Sequence, residues 1–185
     1  FWRRGFVSVK ALVPAIALAF AGSLIGALIV RQVDVSLLEV AVPAALIAIA
    51  LYFLFAPNLS DADKVARLPF RLFVPLMALV IGFYDGIFGP GTGSFFTIGF
   101  VLLFGLGLTR ASGNTKVLNL VSNSAALTIF IPNGDVVWPA ALAMVAGQLA
   151  GGYIGARTGI RYGAKVIRPV VVIVCIALAL RLLFF

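Results

Sequence analysis

The stretch GFYDGIFGPGTGS, residues 82–94, decides how the rest of the chain is read. Five glycines and one proline interrupt what is otherwise almost continuous hydrocarbon, and Asp85 lies among them. An apolar run covers residues 70–88 before the interruption, and another covers 94–108 after it. The second is only 15 residues long. As helix it would measure about 22 Å, against roughly 30 Å of bilayer hydrocarbon. The two runs therefore read as a broken or re-entrant helix pair whose tip, GPGTGS, lies inside the membrane. Irregular backbone at that depth is tolerated only where it is buried in protein or lines a cavity.

The chain on either side supports a membrane setting. Of 185 residues, 63% are hydrophobic and only 11% charged, where soluble domains carry about 25% charged residues. The mean hydropathy is +1.17. Seven apolar segments follow one another, near 11–30, 37–57, 70–88, 94–108, 115–131, 137–156 and 169–185. The fold class is thus an all-α polytopic membrane protein, with the lipid bilayer as its surroundings.

The net charge of +8 does not point to nucleic acid, because the basic residues form no patch and fall between the apolar runs. With the first residues in the cytoplasm and the segments alternating, the cytoplasmic side collects Arg3, Arg4, Lys10, Lys64, Arg67, Arg71, Arg110, Lys116, Arg157, Arg161, Lys165 and Arg168. That is 12 of the 14 basic residues, the bias expected of cytoplasmic loops. The loop PNGD at 132–135 and the C-terminus then face outward. There is no histidine and only one cysteine, Cys175, so His- or Cys-cluster metal sites and internal disulfides are excluded. No cofactor is called for. The opening FWRRG lacks an initiator Met and reads as the remainder of a longer protein.

An internal repeat is also present. AGSLIGA at 21–27 matches AGGYIGA at 150–156, and each is followed by a polar link and a proline, Pro43 or Pro169. Then come PAALIAIALYFLF and PVVVIVCIALALRLLFF, apolar runs that end in aromatics. An odd number of spans separates the copies, so they are inverted in the membrane, as in many secondary transporters. The expected organisation is residues 1–57 as the C-terminal part of a first repeat lacking its beginning, 58–71 as a cytoplasmic linker, and 72–185 as the second repeat. Small-residue spacing such as Gly22/Gly26 or Gly151/Gly155 is also simply common in packed membrane helices.

Two features carry the candidate chemistry. Gly89, Gly91 and Gly93 remove side chains and Pro90 ends a helix, which would leave the N–H groups of Gly91, Thr92, Gly93 and Ser94 unpaired at a helix start. Such a start attracts anions, and Ser94 can cap it or donate to a ligand. The bland alternative is a tight turn between packed helices. The second feature is TRASGNTKVLNLVSNSAALTIF, 109–130, which sets Ser112, Lys116, Asn119 and Asn123 on one helical face, bordered by Thr115 and Ser122. Neutral donors and one cation suit a small oxyanion. The alternatives are hydrogen bonds between helices and a Lys116 that snorkels to the surface. Asp85 is either a proton carrier for coupled transport or a structural partner, bonded to Lys116 or to backbone N–H groups. Gln148, amid small residues, reads first as a helix-packing residue and second as a candidate for the same cavity.

The run GFYDGIFGPGTGSFF followed by RASGNTKVLNLVSNSAALTIF closely resembles the second half of the TauE/SafE (sulfite exporter) family, and the resemblance extends over essentially the whole chain. It implies a bacterial inner-membrane transporter of two related halves, each with such a glycine motif. It also implies sulfite, organosulfonates or related sulfur compounds as substrates. The first half's motif is absent here. The expectation is a secondary transporter, not an enzyme, that moves small sulfur-containing or organic anions, with Gly89, Gly91, Thr92, Gly93, Ser94, Ser112, Lys116, Asn119 and Asn123 at the substrate and Asp85 as the coupling candidate. A homo-oligomer is compatible with it. No ATP-binding motif is present, so the energy would come from a gradient or a separate partner. A passive anion channel and a non-transporting assembly protein are the alternatives.

Overall fold

The structure is a computed structural model and describes residues 9–55 and 61–184. Arg3 and Arg4, which contribute to the expected orientation, and the first residues of the expected linker lie outside the described residues. Among those described, the chain is entirely helical. The helices are α1 (Val9–Ile29), a short 3-10 turn (Val30–Gln32), α2 (Val35–Phe55), α3 (Phe70–Ile87), α4 (Thr92–Leu102), α5 (Leu108–Phe130), α6 (Trp138–Tyr162) and α7 (Ala164–Phe184). Ala11–Ile29 of α1 and all of α3 are long and apolar enough to cross a bilayer, and α2 and α4 carry shorter apolar stretches.

Each of the seven expected segments corresponds to one helix, but several ends move. The fourth helix is shorter than the expected 94–108 and stops at Leu102. At the other end α5 already starts at Leu108, so Arg110 is helical. The expected loop at 157–168 shrinks to Gly163, at φ +56, because α6 runs to Tyr162 and α7 starts at Ala164. Arg and Lys are good helix formers with long apolar stems, so charges on the chain do not by themselves end a helix. Pro43 and Pro169 lie inside α2 and α7.

Two packed clusters organise the helices. In the first, Leu12, Ala15 and Ala19 of α1 meet Val74 and Ala78 of α3, Phe96 and Phe100 of α4, and Ala111 and Leu118 of α5. In the second, Leu46, Ile49 and Phe53 of α2 pack against Cys175 and Ala179 of α7. Lipid tails are as apolar as leucine, so membrane helices associate through close packing rather than water exclusion. The α1–α3 crossing shows how. Gly22 and Gly26 oppose Gly82 and Gly86, and a Cβ at Gly82 would stand 2.5 Å from the Ala19 carbonyl oxygen. The first two glycines of the decisive stretch thus serve helix packing, while Gly89 and Gly91 form the break and Gly93 lies in the first turn of α4. Helix α7 is tied to α2 by Arg168, whose Nε donates to the Phe53 carbonyl at 2.6 Å and whose terminal nitrogen reaches that of Leu54 at 2.5 Å. Cations on the last carbonyls of a helix satisfy groups it leaves unpaired. By contrast, Gly159 is the one buried residue of α6, and a Cβ at Gly151 or Gly155 would meet nothing within 4 Å.

Candidate functional site

The backbone of the break is set by glycine. Gly89 and Gly91 have φ of +76 and +84, left-handed values that glycine adopts without steric penalty. Three hydroxyls then occupy carbonyls of this segment. Tyr84 Oη donates to Pro90 O at 2.7 Å, Thr92 Oγ1 to Gly89 O at 2.7 Å, and Thr97 Oγ1 to Gly93 O at 2.7 Å. Tyr84 is itself held between Phe88, against which it stacks, and the edge of Phe95.

The expected row of unpaired N–H groups is shorter than the sequence suggested. Helix α4 starts at Thr92 with Gly91 as its N-cap, so Ser94 is inside the first turn and does not cap it. Its N–H donates to Gly91 O at 2.8 Å, and that of Thr92 to Gly89 O at 3.3 Å. The N–H groups of Gly91 and Gly93 have no hydrogen-bond partner among the described residues. The first turn of a helix always leaves such donors, and they carry its positive end.

A cavity of about 720 Å³ opens beside this turn. Gly91, Gly93, Ser94 and Thr97 of the break and α4 form one side, and Ser112, Thr115, Lys116 and Asn119 of α5 continue it. The rest of the lining is mostly apolar, with Val170, Val171, Val174 and Cys175 of α7 and Leu46 and Phe53 of α2. Gly151, Gly155 and Thr158 of α6 border it too. The two polar helices are linked where Thr97 and Thr115 approach to 3.1 Å, hydroxyl to hydroxyl. Thr97 follows Gly93 by four residues and Thr115 precedes Asn119 by four, so helical spacing places both on the cavity's face.

The remaining expected residues lie elsewhere. Thr92 is buried, with its hydroxyl spent on Gly89. Gly89 is in the turn but does not line the cavity. Asn123 shares the angular position of the stripe, but it lies about 10 Å along the helix from Lys116 and meets α3 instead. There its Nδ2 donates to Asp85 Oδ2 at 3.3 Å, and to Asn119 O and Oδ1 at 2.7 and 3.3 Å. Asp85 is buried and also accepts from the Ser122 hydroxyl. The Ser122 carbonyl in turn accepts from Ser23 Oγ of α1 at 2.5 Å. A buried carboxylate is thus joined by two asparagines to the edge of the cavity. Among the described residues no group of His, Cys, Asp or Glu is placed to hold a metal ion.

The sequence profile described as sulfite exporter TauE/SafE matches residues 1–182. The chain belongs to the TauE/SafE family. It is 46% identical over 181 residues to the probable membrane transporter protein ORF9 of Sinorhizobium sp., covering 98% of this chain and 69% of that protein. To the probable membrane transporter YfcA of Escherichia coli K12 it is 39% identical over 184 residues, all of this chain and 68% of that one. A probable membrane transporter of Haemophilus influenzae is 36% identical over 184 residues, all of this chain and 72% of the relative. No solved structure matches it. This TauE/SafE chain, helical throughout its described elements, is therefore a membrane transporter protein.

Proposed function

We propose that this TauE/SafE protein is a secondary transporter that exports small sulfur-containing or organic anions, such as sulfite and organosulfonates, across the bacterial inner membrane. The observation that carries the reading is one cavity wall that combines free backbone donors, hydroxyls, an amide and a cation. The N–H groups of Gly91 and Gly93 stand beside Ser94, Ser112, Lys116 and Asn119. Several fixed donors with one positive charge suit a compact oxyanion. The family's description, sulfite exporter, supports sulfur oxyanions as the class.

Asp85 supplies the coupling step in this reading. When it is ionised, Asn123 donates to it, and Asn123 also holds the Asn119 side chain at the edge of the cavity. Protonation weakens Asp85 as an acceptor, so Asn123 and the Asn119 side chain bonded to it can shift together. Orientation follows the charge bias, with the loop at 132–135 and the C-terminus outside. Residues 1–57 and 72–185 belong to inverted repeats joined by the linker 58–71, and access alternates as one repeat rocks against the other.

Reconstituted vesicles test this directly. Labelled sulfite should exchange against unlabelled sulfite or an organosulfonate faster than net flux runs, because a carrier returns loaded more readily than empty. Conductance without such counterflow would make the protein a channel and overturn the proposal.

A further inference from the structure

Where α5 and α7 begin, residues 61–68 run against the α4–α5 turn. The Lys64 N–H donates to Gly105 O at 2.6 Å, and those of Arg67 and Leu68 to Leu103 O at 2.9 and 3.1 Å. Asp63 accepts from the Gly107 N–H at 2.7 Å and pairs with Arg110, so its bonds stay within that turn and α5. Asp61 differs. Its Oδ1 accepts from the Thr109 N–H at 3.1 Å and the Thr109 hydroxyl at 2.7 Å, while its Oδ2 accepts from the Ala164 N–H at 3.0 Å. One carboxylate therefore holds the first turns of two helices. Glycine permits the approach on both sides: a Cβ at Gly163 would overlap the carboxylate, and one at Gly107 would overlap the Asp61 carbonyl.

Both of those helices line the cavity. Ser112 and Lys116 follow Thr109 on one, and Val166 and Ile167 follow Ala164 on the other. We propose that Asp61 is a latch that closes this end of the cavity, and that release of either helix start opens the cavity toward the side on which residues 61–68 lie. The inference rests on the transporter reading, since only a carrier needs its cavity to open and close at one end. A carboxylate shared between two walls is suited to such a step, because losing one arm frees the walls while the other arm keeps it satisfied.

Cys175 provides the probe. It is the single cysteine of the chain, lines the cavity and is only 4% exposed. A membrane-impermeant maleimide, applied to membrane vesicles of each orientation, should label it slowly. In Asp61→Asn an amide NH₂ replaces one acceptor and opposes an N–H donor. Labelling from the side of residues 61–68 should then rise by about fivefold or more, the factor for losing roughly one hydrogen bond. Gly163→Ala displaces the carboxylate from α7, should act alike, and covers the case in which Asp61→Asn fails to fold. Asp63→Asn keeps an amide oxygen that can still accept from the Gly107 N–H and loses only an exposed ion pair with Arg110, so it should stay within about twofold. Wild-type labelling in both latch variants, or an equal rise in Asp63→Asn, overturns the latch. A selective rise in a protein whose melting temperature no anion shifts keeps the latch and sinks the anion reading. Anion binding without the rise sinks the latch alone.

Discussion

Gly91 and Gly93 are two residues apart and are glycine for different reasons. Gly91 has φ +84, and a Cβ there would meet the Ile49 side chain at 2.7 Å. Its replacement by Ala should cost about 1 kcal/mol or more from the left-handed backbone alone. Gly93 has an ordinary φ, and a Cβ there would meet only Thr115 Cγ2 at 3.7 Å. Gly93→Ala should therefore stay within about 0.5 kcal/mol of the parent in stability and still lose most of its stabilisation by sulfite, because the methyl occupies the space in front of the turn. Full stabilisation by sulfite in that variant would mean that the Gly93 N–H does not meet the ligand. Asp85→Asn should keep sulfite binding but make transport indifferent to a pH gradient, measured in vesicles with and without an imposed gradient; persistent dependence would make Asp85 structural. Asp61 gives a separate pH effect. Burial pushes its carboxyl up, but the hydrogen bonds from the Thr109 hydroxyl and from the Ala164 and Thr109 N–H groups outweigh this and hold it below the ordinary value. A folded value below the unfolded one stabilises the fold fully above the unfolded value, near pH 4, and the gain fades as pH falls through the folded value. Melting temperature should thus decline on acidification below about pH 4, and less steeply in Asp61→Asn.

At the scale of elements, glycine pairs decide which helices touch. A Cβ at Gly86 would collide with the Ser23 carbonyl and the Ala27 N–H of α1. Gly86→Ala should lower stability by about 1 to 3 kcal/mol, as forced overpacking does, whereas Gly155→Ala, whose added Cβ would meet nothing within 4 Å, should leave it nearly unchanged. Thermal unfolding in one detergent compares the two, and equal losses would contradict the α1–α3 crossing. The existence of seven helices was legible because each needs a long apolar run, and those runs are plain in composition. Their ends were not. Arg110, Arg157 and Arg161 look like loop residues, but long flexible stems let them sit on helices. The roles of the five glycines in the stretch were also hidden, since Gly82 and Gly86 owe their places to α1, a partner that no local pattern names.

For the whole molecule, the polar half of the site was readable from helical spacing, because Ser112, Lys116 and Asn119 share one face of one helix. The apolar half was not, since Val170, Val174 and Leu46 come together only through the α2–α7 packing. Asn123 shares the angle of the stripe, but its depth along α5 brings it to Asp85. The repeat carries its own expectation, that residues 11–57 superpose on 137–185 by rotation about an axis in the membrane plane. A superposition axis along the membrane normal would contradict it. The central claim, that the cavity beside Gly91 and Gly93 takes an anion, is tested most directly by a thermal-shift titration of purified protein with sulfite and a small organosulfonate. A ligand bound to the folded state raises its melting point by mass action. The parent should be stabilised in a saturable way, and Lys116→Met should bind about 1 to 3 kcal/mol more weakly, the range for hydrogen bonds to charged groups. Equal stabilisation of parent and Lys116→Met, both monodisperse, would contradict the claim.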